Sequence, residues 1–241
     1  IFIAYPQQEF GSVSGEVRLS HIITDGDWHH TFHVAARGRD VKRVTGGTSS
    51  QDLGIARLGL VRDVAPRTFT TGPETHDHAQ QGMLGVAYNG SYGSFADFSL
   101  GIQKSEYKRR LQAPNSPESK LTDNPWLPNA TLAFHPLRDL AVFGSYTRGF
   151  EENGQAPNNA TNRGDGVPAS RTSQVDAGVR YTFTPGISAV VTAFEIKKPY
   201  FNLDSKGLFT HVGELNHKGV EMSFTARVGD GLTIVGGNVF L

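Results

Sequence analysis

Apolar and polar residues alternate at every second position through much of this chain. From Gln174 to Thr184, the apolar set Val175, Ala177, Val179, Tyr181 and Phe183 interleaves with Gln174, Asp176, Gly178, Arg180 and Thr182. A period of two places the two sets on opposite faces of a β-strand. The same reading gives Phe32, Val34 and Ala36 against His33, Arg37 and Arg39, and Phe98, Leu100 and Ile102 against Asp97, Ser99 and Gln103. It also sets Val220, Met222, Phe224, Ala226 and Val228 against Glu221, Ser223, Thr225 and Arg227. The pattern predicts strands over 13–23, 28–43, 80–89, 95–109, 127–134, 139–149, 173–184, 187–198, 209–228 and 232–241, with residues 1–5 ending an earlier one. The runs 139–149 and 232–241 do not separate cleanly into faces.

The connections carry a second signal. TDGD (24–27), NGSYGS (89–94), HPLRD (135–139), TPG (184–186) and GDG (229–231) are compact turn sequences. Between them lie long polar segments near 44–79, 110–126, 150–172 and 199–208. Short and long connections therefore alternate strictly. An up-and-down barrel puts every second connection at the same end, and outer-membrane barrels have short turns at one end and long loops at the other. A Greek-key sandwich has no reason to keep this parity. Trp28, Tyr88, Tyr92, Phe95, Phe134 and Phe183 all lie within a few residues of a short turn, where membrane barrels carry an aromatic girdle. The expected fold is an all-β, antiparallel, up-and-down transmembrane β-barrel, of which about ten or eleven strands are read. Its apolar faces meet lipid. Arg37, Arg39, Asp176, Arg180, Glu221 and Arg227 face a polar lumen and pair across strands, because each such charge costs about 2–4 kcal/mol at the lipid midplane.

Composition sharpens the exclusions. The chain has 241 residues, 37% hydrophobic, with a mean hydropathy of −0.34. No apolar run approaches the roughly 18 residues of a transmembrane helix, which leaves strands untouched. Cys is absent, which excludes disulfides and thiolate chemistry. Lys plus Arg and Asp plus Glu are 23 each, so nothing points to nucleic acid. There is no Gly-x-Ser-x-Gly elbow, HExxH or P-loop, and no enzymatic activity or resident cofactor is expected. IFIAYPQQEF lacks the build of a signal peptide, and LTIVGGNVFL stops inside a strand pattern. Both ends are expected to be cuts.

Four stretches resemble the barrel of TonB-dependent outer-membrane receptors of the ferric-siderophore type. They are GEVRLSH (15–21) followed by DWHHTFHVAARGRDVKRVTGG (27–47), WLPNATLAFHPLRDLAVFGSYTRGFEENGQAP (126–157), SRTSQVDAGVRYTF (170–183) and NHKGVEMSFTARV (216–228). The third is similar to the family's Q-x-E-x-G-x-[KR]-Y strand, with Asp176 where Glu is usual. The fourth is similar to its R-G-x-E strand, with Lys218, Gly219 and Glu221 in place. The resemblance implies a bacterial outer-membrane receptor that binds and imports ferric siderophores. Iron is then cargo, and the partners are the TonB complex, acting through a plug domain, together with outer-membrane lipid and lipopolysaccharide. Family barrels have about twenty-two strands, so the chain is expected to be about half a barrel without its plug or C-terminal strands.

Candidate ligand contacts are fewer. His76, Asp77 and His78 form the one cluster of metal-ligand type, but no third ligand is fixed by spacing and the segment reads as a long polar loop. Contact of His76 and His78 with a ligand, or no role at all, is the better expectation than metal binding. Arg163 and Arg171, bordering the 150–172 segment with Arg148, Glu151 and Glu152, suit an anionic chelate, the alternative for each being a solvated loop charge. Trp126 stands at a loop-to-strand junction, suited to stacking on an aromatic chelator or to anchoring at the membrane interface. A passive outer-membrane channel or structural barrel is the alternative function, and a soluble all-β binding module the third.

Overall fold

The structure is a computed structural model that describes residues 2–55, 59, 68–229 and 231–241. Part of the 44–79 segment and Asp230 of the last turn lie outside the described residues. Among the described residues thirteen strands occur in chain order: β1 (Phe2–Ala4), β2 (Glu9–Asp25), β3 (Trp28–Gly46), β4 (Ser49–Gln51), β5 (Glu74–Tyr92), β6 (Ala96–Gln112), β7 (Ser119–Asp123), β8 (Trp126–Leu137), β9 (Leu140–Glu151), β10 (Ser170–Thr184), β11 (Ile187–Leu203), β12 (Phe209–Val228) and β13 (Leu232–Phe240). No helix among the described residues is long and apolar enough to cross a membrane, which says nothing about crossing by strands.

The ten long strands form one antiparallel meander in the order β2-β3-β5-β6-β8-β9-β10-β11-β12-β13. β7 adds to β6 beside the start of β8, and β1 pairs with β4 in a separate two-stranded sheet. Each long strand pairs with the next, so β10 and β11 are neighbours as the Thr184-Pro-Gly turn requires. The tight turns use glycine in the left-handed region, with φ of +58° at Gly26 and +90° at Gly186. The far edges of β2 and β13 have no strand partner among the described residues, and the sheet is open.

The register divides the sheet into two faces. One row runs through Thr31, Asn89, Ser99, Thr131, Ser145, Asp176, Phe194 and Gly219. The adjacent row on the other face runs through Phe32, Tyr88, Leu100 and Ala130. On this second, open face an apolar belt covers the half of the sheet nearest the short turns, and its side chains lie bare: Leu84 is 60% exposed and Leu132 58%. Val175, Val179, Tyr181, Met222 and Phe224 belong to it. Phe183 sits in the bulge between Thr182 and Thr184, its ring edge-on to Tyr181 at 4.9 Å.

The strands outrun the apolar pattern at the long-connection end. β5 begins at Glu74, where the pattern began at 80, and β11 runs to Leu203. β4 and β7 occupy ground that reads as polar loop. The reason is a change of phase. Beyond the belt, the buried apolar residues Val41, Ala79, Tyr107 and Leu111 stand on the opposite face, and Lys42, Gln80, Lys108 and Arg110 take the open one. What compact core there is lies here, where the 152–169 connection folds back over the sheet and buries Ala156, Ala160 and Val167 with them.

Candidate functional site

Strand alternation decides which candidate residues meet. Arg37, Arg39, Asp176, Arg180, Glu221 and Arg227 all fall in the same set of rows, on the face that the 152–169 connection covers. Small polar groups tie much of this face together. Asp176 accepts from Ser145 Oγ and Gln174 Nε2, both at 2.8 Å. His33 lies between Ser20 and Asn89, at 2.7 and 3.0 Å. Arg37 reaches Glu16 at 3.4 Å. A hollow of about 260 Å³ opens in this wall, with Ala35, Gly85 and Gly101 among its lining and Arg18, His33, Arg37 and Asn129 around it.

Toward the long connections the same face carries a denser cluster. Arg109 donates to Asp77 through two nitrogens, Nε to Oδ1 at 2.8 Å and Nη2 to Oδ2 at 3.0 Å. Its third nitrogen donates to the carbonyls of Asn153 and of Gly154, the latter at 3.1 Å. Arg43 reaches Asp77 at 3.2 Å and Glu152 at 3.9 Å, and Arg39 pairs with Glu152. Three guanidinium groups thus face two carboxylates. Beneath them Tyr107 is buried, edge-on to Phe150 at 5.2 Å. The apolar belt takes up 96–104 of β6, about the nine to eleven residues that a tilted strand needs to span a membrane, and Tyr107 stands beyond it. There burial pushes the Tyr107 hydroxyl up to about 12, and the group is neutral.

The cluster anchors one end of the covering connection. Asn153 Nδ2 donates to Ser170 Oγ at 2.9 Å, and Val167 N to the Gly154 carbonyl at 3.2 Å. The other end is tied to the β11–β12 connection. Asn162 exchanges two hydrogen bonds with the Phe209 backbone, at 3.1 and 2.9 Å, and Thr161 N donates to the Gly207 carbonyl at 2.8 Å. A middle tie runs from Gly166 N to Ser119 Oγ at 3.1 Å. The 152–169 segment is therefore a folded strap laid across one polar face of a meander.

The sequence matches the family model "TonB dependent receptor-like, beta-barrel" over residues 24–239. The chain belongs to this family. Its structure superposes on BauA, the ferric preacinetobactin receptor of Acinetobacter baumannii, with a TM-score of 0.73 and 20% identity, covering 97% of this chain and 36% of that one. The siderophore receptor PiuA of Acinetobacter baumannii gives 0.75 and 15% over 97% of this chain and 38% of that one. The ferric-catecholate import receptor Fiu of Escherichia coli K12 gives 0.74 and 11% over 96% of this chain and 38% of that one. The chain thus spans little more than a third of these structures' lengths. A search of curated sequences returns no significant match.

In this TonB-dependent receptor barrel the other candidates stand apart from the cluster. His76 and His78 lie within β5 and not in a loop, and both occupy the open face while Asp77 between them occupies the covered one. That alternation takes Asp77 away from the two imidazoles, and no group of three metal-ligand side chains occurs among the described residues. Trp126 opens β8 on the open face, its ring 5.0 Å from Lys104 Nζ. Arg163 is an exposed residue of the strap whose carbonyl accepts from Ser116 Oγ at 3.4 Å. Arg171 pairs with Asp123 of β7. Arg43, Arg109 and Tyr107 were not among the sequence candidates, and Glu152 was named only as bordering the long segment. Their signal is the phase change in 105–111, where Tyr107 and Leu111 become the buried set. The family is one of receptors and transporters, not enzymes.

Proposed function

We propose that this chain is part of an outer-membrane receptor that binds ferric-siderophore complexes and imports them through coupling to TonB. The observation that carries the reading is the strap 152–169, tied by Arg39 and Arg109 over the long-connection end of a face that nearer the short turns is polar and charge-lined and has an apolar belt as its reverse. In this reading the belt meets lipid and the covered face is the wall of a wet lumen. The long connections meet an incoming ligand at the cell exterior. Ferric chelates that are anionic suit a lumen mouth with an excess of guanidinium. The neighbours' own ligands, a ferric preacinetobactin in one and a ferric catecholate in another, supply the ligand class. The protein's part is recognition and gating, with no bond made or broken.

The test is uptake of radioactive iron by cells that carry the full-length protein as their one receptor, supplied with a panel of ferric siderophores. Accumulation of one complex that stops when TonB is deleted supports the reading. Accumulation that persists without TonB would establish a passive channel instead.

A further inference from the structure

The chain holds two Asn-Gly steps, Asn89-Gly90 and Asn153-Gly154. At such a step the backbone nitrogen that follows the asparagine can attack its carboxamide, because glycine has no Cβ to obstruct the approach. The fold treats the two steps differently. Gly90 is an inner ladder position of β5, paired with His30 of β3 and Phe98 of β6, and a Cβ there would meet Phe98 ring atoms at 2.5 Å. Gly154 lies in the strap and outside the strands, exposed, with open space where a Cβ would stand. Among the described residues no hydrogen bond engages its nitrogen.

The contacts around Asn153 favour that attack. Arg109 Nη1 donates to the Asn153 carbonyl oxygen, the other end of the peptide unit that contains Gly154 N. A cation on that oxygen stabilises the anion left when the nitrogen gives up its proton. Ser170 Oγ donates to Asn153 Oδ1 at 3.3 Å, where negative charge develops as the carboxamide carbon becomes tetrahedral. Ser170 is 1% exposed, so this donor is fixed in place. Asn153 Nδ2 donates to the Pro168 carbonyl and to Ser170 Oγ at 2.9 Å, which holds the carboxamide in one orientation.

We propose that Asn153 is a site of self-modification that unfastens the strap as the protein ages. Gly154 N gives its proton to water and bonds to Asn153 Cγ. The Cγ–Nδ2 bond breaks, and ammonia leaves with a proton returned from water. The succinimide so formed adds water at either of its carbonyls, giving aspartate or isoaspartate at 153. Overall a carboxamide and a water become a carboxylate and an ammonium ion. The carboxylate has no N–H to offer the Pro168 carbonyl or Ser170 Oγ. Arg109 cannot take it up without letting go, since its nitrogens are engaged with Asp77 and the strap carbonyls. Isoaspartate also lengthens the backbone by one carbon. That carries the Gly154 carbonyl away from Arg109 Nη1 and Val167 N, from which it accepts at 3.1 and 3.2 Å. The inference is independent of what the receptor binds or imports.

The experiment holds the full-length protein, folded in detergent, at mildly alkaline pH in water enriched in heavy oxygen. Peptide mapping by mass spectrometry follows both Asn-Gly steps with time. Position 153 is expected to react at least tenfold faster than position 89, to gain solvent oxygen and to yield both aspartate and isoaspartate. The urea-unfolded chain should modify the two steps at equal rates, so that the preference reports the fold. Gly154→Ala, whose methyl group meets nothing within 4 Å, should slow the reaction at 153 at least tenfold and leave the strap protected from limited proteolysis. Ser170→Ala should slow it severalfold. Asn153→Asp should be cleaved within 152–169 from the outset, as the aged wild type is. Heat-modifiable gel mobility verifies that each variant is folded. Equal rates at 153 and 89 in the folded protein, aspartate as the sole product, or an unchanged rate in Ser170→Ala would overturn the site. A strap that stays protected in Asn153→Asp and in the aged protein would overturn the release.

Discussion

Arg109 grips Asp77 with two nitrogens, at 2.8 and 3.0 Å, from the neighbouring strand and two residues off register. Side-chain exposures of 7% and 11% make this the most enclosed ion pair of the chain's described residues. Its worth lies less in attraction than in the penalty for losing one partner, because a buried charge without its counter-ion costs about 3–5 kcal/mol.

Asp77→Ala is therefore expected to destabilise the long-connection end by about 3 kcal/mol or more. Arg109 then retains carbonyls but no two-point carboxylate, and the strap loses the base of its anchor. Limited proteolysis of the full-length protein should show cleavage within 152–169 in the variant and protection in the wild type. Arg43→Gln, whose side chain is 33% exposed, should leave the strap protected. Equal protection in Asp77→Ala and wild type would show that the Asn162 and Thr161 ties hold the strap alone.

Glycines that face aromatic rings form a second test. A Cβ on Gly178 would meet the Val191 carbonyl at 2.5 Å and the Phe143 ring at 2.7 Å, whereas one on Gly82 or Gly38 meets nothing within 4 Å. Gly178 and Phe143 are cross-strand partners, and the same pairing joins Gly219 to Phe194. The ring lies over the bare backbone in place of a side chain. Gly178→Val is expected to lower the temperature of heat-modifiable unfolding markedly, and Gly82→Val to leave it within a few degrees. Similar unfolding of the two variants would mean that the rings are not seated on these glycines.

The two-residue period was enough to read the meander and the sharing of faces. Val179 and Arg180 were already assigned to opposite sides by their neighbours, and the parity of turns put β10 beside β11. The period failed where its physical cause ends. On the proposed placement the open face beyond the belt lies outside lipid and no longer needs to be apolar, and the covered face gains apolar residues where the strap lies on it. Tyr107 and Leu111 invert the phase that Leu100 and Ile102 set. A single phase carried along the chain ends β6 early and makes loops of β7 and the start of β5. The Arg109–Asp77–Arg43 cluster was illegible for a further reason: its last partners are the strap's backbone carbonyls, which no side-chain pattern announces.

The face assignment has an energetic consequence at two adjacent positions. Val179→Arg puts a guanidinium on the open face within the belt and is expected to cost about 2–4 kcal/mol. Arg180→Val, on the covered face, changes a wall that already carries Val190 beside it and should cost much less. Denaturant titration of refolding into lipid vesicles measures both. Equal penalties would mean that the faces do not differ in solvent.

The chain has two tryptophans, and they mark the two borders of the belt. Trp28 opens β3 at the short-turn end, in contact with Tyr92 at 4.8 Å, His30 at 5.6 Å and Phe98 at 6.0 Å. Trp126 opens β8 on the row of Lys104, Leu84 and Ala36. Trp28 and Ala36 share a strand and a face, eight residues apart, which is about 26 Å along the strand and about 20 Å along the normal once tilted. An apolar band in an outer-membrane barrel is about 25 Å tall, and indole rings settle at its two interfaces. Versions of the full-length protein carrying only Trp28 or only Trp126 should therefore both fluoresce as interfacial residues. Quenching by lipids brominated at graded depths should be strongest near the headgroups for each. A water-soluble quencher added outside intact, uniformly oriented vesicles should reach one tryptophan and spare the other. Quenching of both from the same side would place them at one interface, and the nine-residue apolar belt between their rows would then not be the segment that crosses the membrane.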